Sequence, residues 1–121
     1  PDGELALAHE EVAAAARGGA DDVMSMDVDV ALSEDLRELA STVRDAWDDV
    51  ALIMNNAVVR DTGSTWGDHE AWRRSLEVNF WGVLNGVAAF VPDMIAAGTP
   101  AMVVNTGSKQ GITNPPGKPP Y

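Results

Sequence analysis

Apolar residues fall along this chain in two alternating textures. Three short runs are apolar with few or no interruptions: residues 23–26 (Val23, Met24, Ser25, Met26), 50–54 (Val50, Ala51, Leu52, Ile53, Met54) and 101–104 (Ala101, Met102, Val103, Val104). The second and third do not alternate, which is how a strand covered on both faces of a parallel sheet reads. Between the runs, apolar positions recur at helical spacing. Residues 4–17 place Leu5, Ala8, Val12 and Ala15 on one face, and Gly18-Gly19 stop that helix. Ser33 is positioned to cap the next helix, with Glu34 and Asp35 in its first turn, and Leu36, Leu39, Ala40, Val43 and Trp47 form its apolar stripe. A longer helix begins near Asp68. It is polar at first (His69, Glu70, Arg73, Arg74) and, after Val78, apolar on every side as far as Phe90-Val91. Such a helix requires burial in a large core or against another subunit. Pro92 is expected to start a separate short turn running to Gly98. Residues 114–121 hold four prolines and a glycine and read as a loop. Helices alternating with parallel-type strands predict an α/β fold, a doubly wound parallel sheet within one domain over residues 1–121.

Each strand run is followed by polar residues at its carboxyl end: Asp27 after the first, Asn55-Asn56 after the second, Asn105 and Ser108 after the third. Open α/β sheets bind ligands in the crevice beyond those ends, where residues distant in sequence come together. Polar residues are also what any loop contains.

Composition acts mainly by exclusion. Nineteen acidic residues against eight basic ones give a net charge of −11, which repels phosphate backbones and anionic lipid, so neither nucleic acid nor a membrane surface is an expected partner. No run approaches the 18 or more apolar residues of a membrane helix, and the first residues do not read as a signal peptide. Without cysteine there is no disulfide framework or thiolate site, which fits a reducing cytoplasm. His9 and His69 stand far apart with no ligand pattern, so no metal is expected. Trp47, Trp72 and Trp81 read as core or interface residues.

Four landmarks at the strand ends carry a resemblance. Asp27-Val28, Asn55-Asn56-Ala57, Asn79 within Asn79-Phe80-Trp81-Gly82, and Ser108 followed thirteen residues later by Tyr121 occur in the order and spacing of the short-chain dehydrogenase/reductase family. The chain resembles that family from about residue 4 to Tyr121. The resemblance implies a Rossmann-like fold and an oxidoreductase that moves a hydride between NAD or NADP and a carbonyl or secondary alcohol of a small organic substrate. It implies that Asp27 accepts a hydrogen bond from the adenine amine and that the backbone of Val28 reaches the ring edge. Asn55, Asn56 and Ala57 would bring main chain close to the adenine-side ribose. Tyr121 would exchange the substrate proton, Ser108 would hold the substrate oxygen, and Asn79 would hold a water leading protons onward. It further implies a dimer or tetramer built through the helix around residues 79–91.

The chain departs from the family pattern at Val58, where glycine is usual; a β-branched side chain restricts the backbone and takes room beside the cofactor. The family's glycine-rich phosphate turn and the lysine four residues after the tyrosine are absent, so the sequence reads as a piece of a longer protein truncated at both ends. In the family's strand order, 3-2-1-4-5, it supplies strands 3, 4 and 5, and residues 23–26 would lie roughly 14 Å from residues 50–54. Two other readings stay open. One is a non-catalytic binding or assembly module on the same scaffold. The other is a sugar-nucleotide epimerase of the extended branch, which a longer downstream substrate domain would reveal.

Overall fold

Two of the three apolar runs hydrogen-bond to each other in the computed structural model, which describes residues 2–60 and 66–113. Strand β1 (Leu52–Asn55) and strand β2 (Met102–Asn105) run parallel, with Leu52 opposite Met102 and Asn55 opposite Asn105. Both start and end later in the chain than the apolar pattern suggests. The ladder continues into the asparagines, and Thr106 N–H still donates to the Asn55 carbonyl at 3.0 Å. A long helical connection joins β1 to β2, as a parallel pair requires.

Residues 23–26 do not form the expected strand. Val23 has extended backbone angles (φ −127°, ψ 129°), but among the described residues no strand offers this segment an edge. A ladder belongs to two segments, and an apolar run without a partner stays extended coil. The segment is not paired with β1, as the expected strand order requires.

Helix α1 (Asp2–Ala15) ends close to where Gly18-Gly19 places the stop. Its expected apolar face is exposed, Leu5 and Val12 included, because among the described residues it packs mainly on the short turn Gly19–Asp22 that follows it. Helix α2 (Ser33–Ala46) is started by Asp29 rather than capped by Ser33. The Asp29 carboxylate accepts from Ala31 N–H (3.0 Å), its carbonyl accepts from Leu32 N–H (2.9 Å), and its own N–H donates to Asp35 (3.0 Å). The turn thus forms four residues early, and Ser33 lies inside the helix, its hydroxyl accepting from Arg37 (3.3 Å). Leu36 and Ala40 are buried; Trp47 falls just past the helix end and is exposed.

The second helical stretch is a single rod of 29 residues, His69–Ala97. It comprises α3 (His69–Leu76), a wide π turn (Glu77–Trp81) and α4 (Gly82–Ala97). Asp68 caps it by accepting from Ala71 N–H at 3.1 Å. Its buried residues, Ala71, Ser75, Val78, Gly82, Gly86 and Met94, make one stripe, whereas Phe80, Trp81, Leu84 and Ile95 are exposed. Pro92 does not start a new turn. It sits within α4 on the solvent side, where water can serve the carbonyl that its ring deprives of a donor, and the helix runs on to Gly98, whose left-handed φ of 67° ends it. An 18-residue window of this rod has a mean hydropathy of 1.4, long and apolar enough to cross a membrane by those measures. An unbroken apolar run is absent because Asn85 and Asp93 interrupt the apolar half of the rod, but they do not lower its mean enough. Here the rod packs on α2 and β1.

That contact is made close by glycine. A Cβ on Gly82 would stand 2.7 Å from Val30 Cγ2, and one on Gly86 would collide with the Asn55 side-chain oxygen. Ile53, on the face of β1 toward α4, is buried; Leu52, Met54 and Met102, on the other face, are exposed, so among the described residues this sheet is covered on one side only. An apolar cavity of about 370 Å³ lies between α2, α4 and β1.

Gly86→Ala in the full-length protein should cost about 1–3 kcal/mol in urea unfolding, because Asn55 leaves no room for the added carbon. Gly107→Ala, where the added carbon meets nothing within 4 Å, should stay within about 0.5 kcal/mol of the original. Equal stabilities would show that the helix does not rest on Asn55. The Asp29 carboxyl is held below the ordinary carboxylate range: Ala31 N–H lowers it most, burial opposes that next, and Arg74 lowers it further by hydrogen bond and charge. Its folded pKa being the lower one, its contribution is complete above the unfolded pKa and is lost as pH falls through the folded one. Asp29→Asn keeps the turn's acceptor but loses the charge, so it should lower stability at neutral pH by at most about 1 kcal/mol, the pair being partly exposed. The difference should close below about pH 4, and a constant difference across that range would exclude the carboxylate as its source.

Candidate active site

The carboxyl ends of β1 and β2 meet through their side chains. Asn55 Nδ2 donates to Asn105 Oδ1 at 2.8 Å, and Thr106 Oγ1 donates to Asn56 Oδ1 at 2.9 Å. The parallel register makes these pairs, since Asn55 and Asn105 are opposite and the next residue on each strand follows suit. The turn Asn55-Asn56-Ala57 is therefore braced against β2, with Asn56 and Ala57 exposed beyond the sheet edge. Thr106 does not stand out in the sequence; only the register reveals its part.

Asn79 secures the chain two residues past that turn. Its Oδ1 accepts from Val59 N–H at 2.9 Å and its Nδ2 donates to the Val59 carbonyl at 3.0 Å. A half-buried amide is thus satisfied at both ends by one residue's backbone, while each end keeps one further hydrogen-bonding position. Asn79 lies in the π turn, where Gly82 N–H donates to the Glu77 carbonyl five residues back instead of four. Such bulges are frequent at functional sites. Val58, between the braced turn and the anchored Val59, is 45% exposed. No non-glycine residue among those described has a positive φ, so this position does not need glycine's backbone freedom.

Asp27 and Val28 line an open groove of about 580 Å³ with Glu4, Ser25 and Met26. The Asp27 carboxylate is exposed and accepts no hydrogen bond from the described residues, leaving it available to an external donor. The residues that follow are tied to the long helix. Arg74 bonds Asp29 (3.2 Å), Asn85 Nδ2 donates to the carbonyls of Val30 (3.0 Å) and Ala31 (3.3 Å), and Val30 rests on Gly82. Asn85 is as legible in the sequence as Asn79, being an amide in an apolar helix that must find a partner.

Ser108 is exposed after β2. Its hydroxyl donates to Gln110 Oε1 (3.2 Å) and accepts from Gln110 N–H (3.3 Å), capping the short turn Lys109–Gly111. Tyr121 lies outside the described residues. The structure therefore braces Asn55 and Asn56 against β2, has Asn79 hold Val59 just beyond their turn, and fastens residues 29–31, which follow Asp27-Val28, to the same helix. It shows no direct bond from Ser108 or Asp27 to the others among the described residues.

The free carboxylate beside an open groove and the exposed turn at the strand ends are both accessible to an external ligand. Comparison with known proteins identifies the family. The family model described as short chain dehydrogenase matches residues 4–121. SadH of Mycobacterium tuberculosis, named as an oxidoreductase, is 34% identical over 100 residues, 82% of this chain and 36% of that protein. A short-chain dehydrogenase/reductase from Burkholderia phymatum, solved in complex with NAD, superposes with a TM-score of 0.88 at 31% identity, covering 99% of this chain and 42% of that one. A metagenomic short-chain oxidoreductase solved in complex with NADP gives 0.82 at 26% identity, covering 97% of this chain and 52% of that one. The chain spans about a third to a half of the length of these relatives. With its parallel strand pair, its asparagine-bearing edge and a match along nearly its whole length, the chain belongs to the short-chain dehydrogenase family.

Proposed function

We propose that the protein is an NAD(P)-dependent oxidoreductase acting on a carbonyl or secondary alcohol of a small organic substrate. The observation that carries this reading is the braced edge at the ends of β1 and β2, with Asn79 fixing the chain beside it. The relatives bound to NAD and NADP support it. Asp27 accepts from the adenine amine, Val28 meets the ring edge, and Asn55, Asn56 and Ala57 border the adjoining ribose. A bound nicotinamide would supply or accept the hydride.

The remaining chemistry falls to this chain's side chains. Ser108 has a single proton to donate. To hold a substrate oxygen it must release Gln110 Oε1, while still accepting from Gln110 N–H. This donation stabilises charge developing on the oxygen during reduction. Tyr121 gives a proton to that oxygen in reduction and takes it back in oxidation; an unperturbed phenol titrates near 10, so it needs a neighbouring positive charge to act at neutral pH. Asn79 holds Val59 with one valence of each amide atom and offers the others to water on the proton's route.

The exposed residues of the long helix, Phe80, Trp81, Leu84 and Ile95, are assigned to contact with a second subunit.

In the full-length protein, Tyr121→Phe and Ser108→Ala should each lower kcat by about a hundredfold or more for NADH- or NADPH-dependent reduction across a carbonyl panel. Cofactor binding should be unchanged, and undiminished turnover in Tyr121→Phe would remove that residue from the mechanism. Leu84→Glu should shift the protein to a smaller species in light scattering after size exclusion, and a monomeric parent protein would refute the subunit contact.

A further inference from the structure

Asp27 is asked to recognise adenine, yet among the described residues nothing holds its carboxylate. Its position must come from the chain to which it belongs. That chain is fixed two to four residues later. Asn85 Nδ2 reaches two consecutive carbonyls, Val30 at 3.0 Å and Ala31 at 3.3 Å, from the first turn of α4. Gly82 lets Val30 settle against the same helix, and Arg74 holds Asp29 at 3.2 Å. The Arg74–Asp29 pair is partly exposed, with side-chain exposures of 45% and 37%, and a pair of that kind is weak. The Asn85 bonds are half-buried, and removing the amide leaves two carbonyls short of a donor. Asn85 is therefore the stronger fastening.

We propose that Asn85 is a positioning residue for the adenine side of the dinucleotide site, setting Asp27 and Val28 without touching the ligand. This rests on the function proposed above, and it adds a determinant of cofactor affinity on the helix whose Asn79 is assigned to the far side of the same site. Because Asn85 acts on the 27–31 segment, it governs how tightly the cofactor is held and leaves the chemical step alone.

The test uses the full-length protein with ADP-ribose, which carries the adenine half and no nicotinamide. In Asn85→Leu the inhibition constant for ADP-ribose and the KM for NADH or NADPH should rise roughly three- to tenfold, with kcat at saturating cofactor unchanged. Combined with Asp27→Ala, the second substitution should add little, since both remove the same contact with adenine. Independent, additive losses, a fall in kcat at constant KM, or an unaltered inhibition constant each overturn the proposal. If Asn85→Leu does not fold, Arg74→Gln should raise the same inhibition constant by a smaller factor, and no rise there overturns it equally. A wild-type protein that binds neither ADP-ribose nor a nicotinamide dinucleotide defeats the proposed function itself, a result distinct from wild-type binding that Asn85→Leu leaves intact.

Discussion

Everything arranged in this chain depends on one close approach, the seating of the long helix on β1 and on the segment before α2. The approach is possible because Gly82 and Gly86 present no side chain where Val30 and Asn55 press against them. Glycine weakens a helix interior by about 1 kcal/mol relative to alanine. Two of them within five residues make sense only if the contact returns more than they cost. The return is positional: with backbone this near, the amides of Asn79 and Asn85 reach main chain on two separate loops.

The candidate site is accordingly built around a rod and less around a sheet. Two strands of four residues form the visible ladder, a small platform. The edge residues gain definition from the helix beside them and from the Asn55–Asn105 and Asn56–Thr106 bonds across the strands. The exposed face bearing Leu52, Met54 and Met102 shows the other side of the same economy, a surface apolar enough to require cover and not covered by any described residue.

The sequence foretold what local chemistry decides. Apolar runs without alternation located β1 and β2, Asp68 marked the start of the long helix, and the asparagines stood where the strands end. It failed where a partner decides. Residues 23–26 carry a strand's composition, but an edge to pair with is not a property of those residues. Leu5, Ala8, Val12 and Ala15 spell a buried face that meets nothing to be buried against among the described residues. Ser33 is a good cap by type, yet Asp29, with a carboxylate and a carbonyl both in range, starts the turn first. Pro92 breaks a helix only when its lost bond cannot be replaced, and on the solvent side it can. An amide in an apolar helix must find a partner, and for Asn79 that partner, the Val59 backbone, is visible only in three dimensions.

The π turn at Glu77–Trp81 has a bearing on the geometry of the rod as a whole. From Ala71 to Met94 there are 23 steps (94 − 71). At about 100° each these amount to six full rotations and roughly 140° more, so in an unbroken α-helix the first and last residues of the buried stripe would point well apart. A wider turn advances fewer degrees per residue and takes back part of that excess. The added residue acts as a phase correction, allowing one straight element to keep a single side toward its neighbours from its charged beginning to its apolar end.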